Sequence, residues 1–277
     1  MLYSVLVSII VSVKIHDGVV MAADSATTFF RPDGQAGQIY QNANKVVNLV
    51  KGLPIGVMTC GAGGVGPASI ATLLKDLRAR IAGDDPAWRV EANECTMEQV
   101  TGLVHKFFSE RAAENDFKGY LMLRICGYSS GRPLPEIWET VFADGACPAP
   151  KQVQSETDIG PMWEGEFEAL NRLIMGAGNR LPDAAEKLFN LTREQSVEAY
   201  NKLIGELYQP LILPAAPIQD AIDLARYLVE VTEGFVKFAV NYTKTVGGPI
   251  EIAAITKHEG FKWVQRKHFF AHELNRG

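Results

Sequence analysis

The feature that most constrains this chain is a pair of apolar, β-branched runs joined by His16-Asp17-Gly18. Residues 9–15 read IIVSVKI and residues 19–23 read VVMAA. An Asp-Gly step between two such runs is a strong hairpin signal, so the chain opens on paired strands. The apolar stretch starts earlier, with Met1, and reaches Val13 before Lys14 interrupts it. Thirteen residues are too few to span a bilayer as a helix. The run has neither the basic lead nor the small-residue cleavage site of a secretory signal, so no membrane partner is expected.

Further strands are expected over 44–49 and 53–59, with 29–38 a loop around Pro32, Asp33, Gly34 and Gly37. Helical spacing of Ile70, Leu73, Leu74, Leu77 and Ile81 predicts a helix over 67–81, with Pro67 in its first turn. Thr96-Met97-Glu98-Gln99 and Thr192-Arg193-Glu194-Gln195 are capping-box patterns that open helices to about Ala113 and Leu207. Strands return at 120–128 and 136–143, an irregular stretch follows, and 218–238 reads as a fourth helix. Segments 250–256 and 261–266 close the chain as a hairpin. Strands and helices thus segregate in blocks, which favours an α+β single domain over a parallel sheet. Two stacked, mainly antiparallel sheets between helix pairs would use every apolar face: a four-layer αββα sandwich.

Composition removes several functions. Hydrophobic residues make up 47% and charged residues 21%, the balance of a globular chain. The net charge of −5 leaves no basic surplus for a phosphate backbone, so nucleic acid is not an expected partner. Cys60, Cys95, Cys126 and Cys147 form no CxxC pair, which fits reduced thiols and a cytoplasmic location. There is no HExxH, and His268 and His272 read as a solvated tail, so no metal and no cofactor are expected. The run Gly61-Ala62-Gly63-Gly64-Val65-Gly66 resembles a dinucleotide loop, but strands joined as a hairpin precede it, which argues for a tight turn instead.

The opening hairpin carries the candidate chemistry. A three-residue turn with Gly18 left-handed would set Ile15 opposite Val19, Ile10 opposite Asp24 and Ser8 opposite Ala26. Ser8 and Asp24 would then share a face, roughly 7–8 Å apart on the diagonal, with room for one long cation between them. A two-residue turn would send Asp24 to the opposite face. From spacing alone, Asp24 reads as a carboxylate that caps the following turn.

The segment from Ser8 to Thr28, with its Asp-Gly turn and Ala22-Ala23-Asp24, resembles the start of a mature proteasome β subunit. So do Asn44-Lys45-Val46-Val47, the run from Gly56 to Gly63 and the late Gly247-Gly248 strand. Free-standing bacterial homologues of the ancestral-β type are nearer than the standard subunits. The resemblance implies an N-terminal nucleophile hydrolase, a threonine-type endopeptidase with serine as nucleophile. Ser8 would supply hydroxyl and α-amine, Lys45 would sit beside the hydroxyl, and Asp24 would orient Lys45. The Gly61 N–H would be the oxyanion donor, and Thr27, Ala43, Thr59 and Gly63 would line the substrate pocket. These are small and uncharged, so an uncharged residue is expected before the scissile bond. The supporting shell departs from the family: Ala177, Thr243 and Val246 stand where Ser, Asp and Ser are usual.

Residues 1–7 are expected to be a propeptide or a wrongly assigned N-terminal extension, and 8–277 the single domain. Val7 is a crowded site for self-cleavage, so synthesis starting at Val7 is the alternative route to a free Ser8. Expected partners are a peptide or unfolded protein and further copies of the chain in a ring or spiral, with any ATPase partner left open. Two other functions remain: a non-catalytic ring subunit, and an amide hydrolase acting on a small molecule.

Overall fold

A computed structural model describes residues 8–30, 36–240 and 242–267. Residues 1–7, His268 and His272, on which the prefix and tail expectations fall, lie outside them. The strands are β1 (Ile9–Ile15), β2 (Gly18–Ala23), β3 (Thr27–Phe30), β4 (Ala36–Tyr40), β5 (Val46–Asn48), β6 (Ile55–Gly61), β7 (Gly64–Val65) and β8 (Ala68–Ser69). Helices α1 (Ile70–Ile81) and α2 (Met97–Glu114) precede β9 (Leu121–Gly127), β10 (Glu136–Phe142), β11 (Lys151–Gln154) and β12 (Gly160–Gly165). Then come α3 (Glu168–Ile174), α4 (Leu181–Phe189), α5 (Arg193–Leu207) and α6 (Ile218–Phe238), and the hairpin β13 (Glu251–Thr256) and β14 (Gly260–Gln265).

Two five-stranded sheets, ordered β12-β1-β2-β13-β14 and β11-β10-β9-β6-β5, stack face to face. All their strand pairs are antiparallel. One apolar cluster seals α1 and α2 onto the second sheet, through residues such as Leu74, Phe107 and Ile125. Another seals α3 and α6 onto the first sheet, through Ile9, Val11, Leu170 and Leu228. A third lies between the sheets around Ile10, Met21, Met58 and Met122. The expected αββα sandwich is therefore the architecture. Burying one Leu or Ile side chain stabilises by about 1.5–3 kcal/mol, so these seams hold the layers together.

Several local expectations are corrected. β1 and β2 pair Ile15 with Gly18 and Ile10 with Ala23, so the turn has two residues, not three. Gly18 is a strand residue squeezed between β1 and β13; a Cβ there would strike the Ile255 carbonyl. The glycine thus answers a close backbone approach rather than a left-handed turn. Helix α1 starts at Ile70, capped by the Ser69 hydroxyl on the Thr72 N–H at 3.2 Å, because Pro67 lies in the turn between β7 and β8. Thr27–Phe30 and Ala36–Tyr40 form a hairpin where a loop was expected. The irregular stretch contains β11, β12, α3 and α4.

Candidate active site

Asp24 follows the last residue of β2, so the strand's pleat no longer dictates where its side chain points. Its Oδ1 accepts the Ile9 N–H at 3.0 Å and the Lys45 ammonium at 2.6 Å. Its Oδ2 accepts the Ala26 N–H at 3.0 Å and the Gly247 N–H at 3.1 Å. Four donors satisfy a carboxylate that no solvent reaches. Asp24 therefore meets Lys45 although the three-residue turn that would have aligned it with Ser8 does not exist.

Gly247 and Gly248 form the cradle on the far side of Asp24. Gly248 has φ +83°, and a Cβ there would run into the Gln41 carbonyl. Ser25 N–H donates to the Gly247 carbonyl at 2.9 Å, which locks the two segments together.

Lys45 precedes β5. Its side chain is 6% exposed, its N–H donates to Glu251 Oε2 at 3.4 Å, and its carbonyl accepts the Thr59 N–H at 2.9 Å. Strand alternation turns the Gly61 N–H to the same edge of β6 as the Thr59 N–H, beyond the end of β5. Gly61 itself has φ +100°, and a Cβ would collide with the Tyr120 carbonyl, which accepts the Ala62 N–H at 2.8 Å.

These pieces converge on a cavity of about 290 Å³. Ser8, Thr27, Ala43, Lys45, Thr59, Gly61 and Gly63 all line it, and Asp24 stands behind Lys45. Asn42, Asn44, Ala62, Ser69, Ile70 and Ala71 complete the wall. Ser8 is 3% exposed and fixed from both sides: its carbonyl accepts the Glu166 N–H at 2.7 Å, and the next residue's N–H is on Asp24. Among the described residues that line it, Lys45 is the sole ionisable one. A larger cleft of about 660 Å³, along β12 and α3, has no Ser, Thr, Cys, Lys or His among the described residues that line it.

The thiol nearest this corner is no rival nucleophile. Cys60 is buried, and a Cβ on Gly165 would touch both its Sγ and the Ser8 carbonyl. Burial, with Glu164 adding to it, pushes the Cys60 thiol up to about 12, so it stays protonated at neutral pH. Burial pushes Cys126 up to about 12 as well. Among the described residues no group of three or more His, Cys, Asp or Glu could hold a metal ion. Nor is any helix among them long and apolar enough to cross a membrane.

Sequence reasoning missed several parts of this corner. Glu251, Ser25 and Lys267 join it only through the tertiary fold. Val246 is buried in the apolar cluster under α6, and Ala177 is buried beside a loop held by Glu168, which accepts the Asn179 N–H at 2.9 Å. Neither brings a polar side chain to Asp24.

Glu233, on α6, was also unforeseen. The first residue of α6, Ile218, lies against Gly18 at the start of β2, and Glu233 lies within the electrostatic reach of Asp24 and Lys45. Its Oε1 is buried without a hydrogen-bond partner. Burial, then Asp24 and Glu230, push its carboxyl up to about 7, against a smaller pull from Lys45. A carboxyl raised in the folded state holds its proton there while the unfolded chain has lost it. Stability at this position is therefore full below about pH 4.5 and is lost as pH rises to about 7. Glu233→Gln should raise Tm at pH 8 and leave it nearly unchanged at pH 4; a scan at the two pH values checks this.

The fold itself identifies with known structures. The ancestral β-subunit (Anbu) from Yersinia bercovieri superposes with a TM-score of 0.52 at 13% identity, over 94% of this chain and 88% of that one. The helical assembly of the Anbu complex from Pseudomonas aeruginosa gives 0.54 at 14%, over 94% and 88%. Anbu from Hyphomicrobium sp. strain MC1 gives 0.54 at 13%, over 95% and 88%. The chain has a proteasome-like fold. No protein-family model and no curated protein matches the sequence. At this identity the likeness speaks for the sandwich alone.

Proposed function

We propose that this chain is a proteasome-like N-terminal nucleophile hydrolase that cleaves peptide bonds with Ser8. The observation that carries the reading is the buried Asp24–Lys45 ion pair opening on a cavity shared by Ser8 and Gly61. Once Ser8 is the first residue, its α-amine, with a reference value near 8, has a neutral fraction at physiological pH. That amine takes the hydroxyl proton as Oγ attacks the carbonyl carbon. Lys45, oriented by its 2.6 Å contact with Asp24, favours the neutral amine and stabilises the developing oxyanion. The Gly61 N–H donates to the same oxygen, a contribution of about 3 kcal/mol in comparable sites. The amine returns its proton to the leaving nitrogen, the C–N bond breaks, and an ester on Ser8 remains. Water then cleaves that ester by the same proton route.

The small, uncharged wall of Thr27, Ala43, Thr59 and Gly63 favours an uncharged residue before the scissile bond. A panel of fluorogenic peptide amides should show the uncharged member cleaved fastest; fastest cleavage of an acidic or basic one contradicts the pocket assignment. A peptidase in the cytoplasm must be secluded from folded proteins. The Pseudomonas neighbour forms a helical assembly, and self-assembly of this chain would serve the same end. Sedimentation should give a mass well above the 30.3 kDa of one chain, and a monomer at micromolar concentration would contradict it. The buried Ala177 and Val246 favour a second reading, a non-catalytic subunit; retention of residues 1–7 and no turnover would select it.

A further inference from the structure

We propose that Lys267 is a positioning residue of the Ser8 cavity, holding the Ala43 wall in place and so setting how tightly a peptide binds. The inference rests on the reading of that cavity as the peptide site.

Lys267 follows β14 and turns inward, its side chain 6% exposed. Its ammonium donates to the Ser25 hydroxyl at 2.7 Å and to the Ala43 carbonyl at 2.5 Å, and lies 3.3 Å from Glu251 Oε2. Three partners use all three ammonium protons. Each partner leads back to the site. Ser25 is the neighbour of Asp24, and its hydroxyl donates to the Pro249 carbonyl at 2.5 Å, beside the glycine cradle. Glu251 also accepts the Lys45 N–H. Ala43 has both backbone groups taken, its N–H on the Ser25 carbonyl at 2.9 Å and its carbonyl on Lys267. Segment 43–45 carries the cavity wall at one end and the lysine of the ion pair at the other. Lys267 ties that segment to 24–25.

A lysine is a costly choice for a purely structural tie, since an apolar side chain of similar volume usually serves a buried site as well or better. Burial pushes the Lys267 ammonium down, and Glu251 opposes it. Lys45 and Asp24 both act on it electrostatically, which places it within the field of the ion pair. With Ala177 and Val246 lacking polar side chains, this contact supplies support to the corner from the end of the described chain.

The test reads binding apart from turnover. In a Ser8→Ala chain beginning at residue 8, the affinity for an uncharged peptide amide is measured by calorimetry, with and without Lys267→Met. The proposal predicts about a tenfold loss of affinity, equivalent to about 1.4 kcal/mol of lost wall contacts. In the otherwise native enzyme the same change should appear in KM, with kcat within about threefold. Because Lys267→Met leaves Glu251 buried and unpaired, the double variant Lys267→Met/Glu251→Gln is measured too; it should fold and still bind about tenfold more weakly. Unchanged affinity in both variants overturns the proposal, whatever the native enzyme does. Weakened binding with no turnover by the native enzyme supports the role of Lys267 and sinks the hydrolase reading. No binding by the Ser8→Ala parent overturns both.

Discussion

Asp24→Ala should destabilise the folded chain by about 3–5 kcal/mol, the range for removing one partner of a buried ion pair. The variant strips the largely buried Lys45 ammonium of its counter-charge, and it also leaves the Ile9, Ala26 and Gly247 N–H groups without their acceptor. Pairing the change with Lys45→Met removes the stranded charge and should recover part of the loss, but not the part due to the backbone donors. Urea unfolding of the two single variants and the double closes the cycle and isolates the pair. Equal, additive losses would mean that the two side chains are not coupled, against the 2.6 Å contact. Turnover should fall with Lys45→Met even where the fold survives, because the amine of Ser8 loses its neighbouring positive charge.

Ser8→Ala should abolish peptide hydrolysis, a loss on the order of a thousandfold or more, while Tm moves little. The change removes one hydroxyl and keeps the backbone anchors of residue 8, its carbonyl on the Glu166 N–H and the Ile9 N–H on Asp24. Ser8→Thr keeps a hydroxyl and adds a methyl that narrows χ1, so it should retain activity within about tenfold. Turnover by Ser8→Ala at the native rate would assign the chemistry to another group.

Much of the sandwich was legible because its long elements carry clean patterns. β1, with its β-branched run, and α6, with 21 residues of helical spacing, match their expected bounds. The stretch after Phe142 was not legible, for physical reasons. β12 is the outer strand of its sheet, where Pro161 is tolerated, so a residue that argues against a strand sits inside one. α3 has seven residues, too few for a period to show. The hairpin register failed because Asp-Gly signals a turn glycine, whereas Gly18 is needed where β13 passes close. The site survived that error because Asp24 lies one residue past the strand and is steered by four donors instead of by the pleat. The resemblance carried by Asn44-Lys45-Val46-Val47 suggested Lys45, but nothing local marks Lys267, Glu251 or Glu233 as its neighbours.

A free N-terminal Ser8 nucleophile would be caught by an electrophile that resembles its substrate. Protein expressed from its native gene is incubated with a peptide carrying a carbonyl electrophile, and its intact mass is recorded. The chain should begin at Ser8 and carry one adduct, lost in Ser8→Ala. A chain that still begins at Met1 and takes no adduct would contradict it.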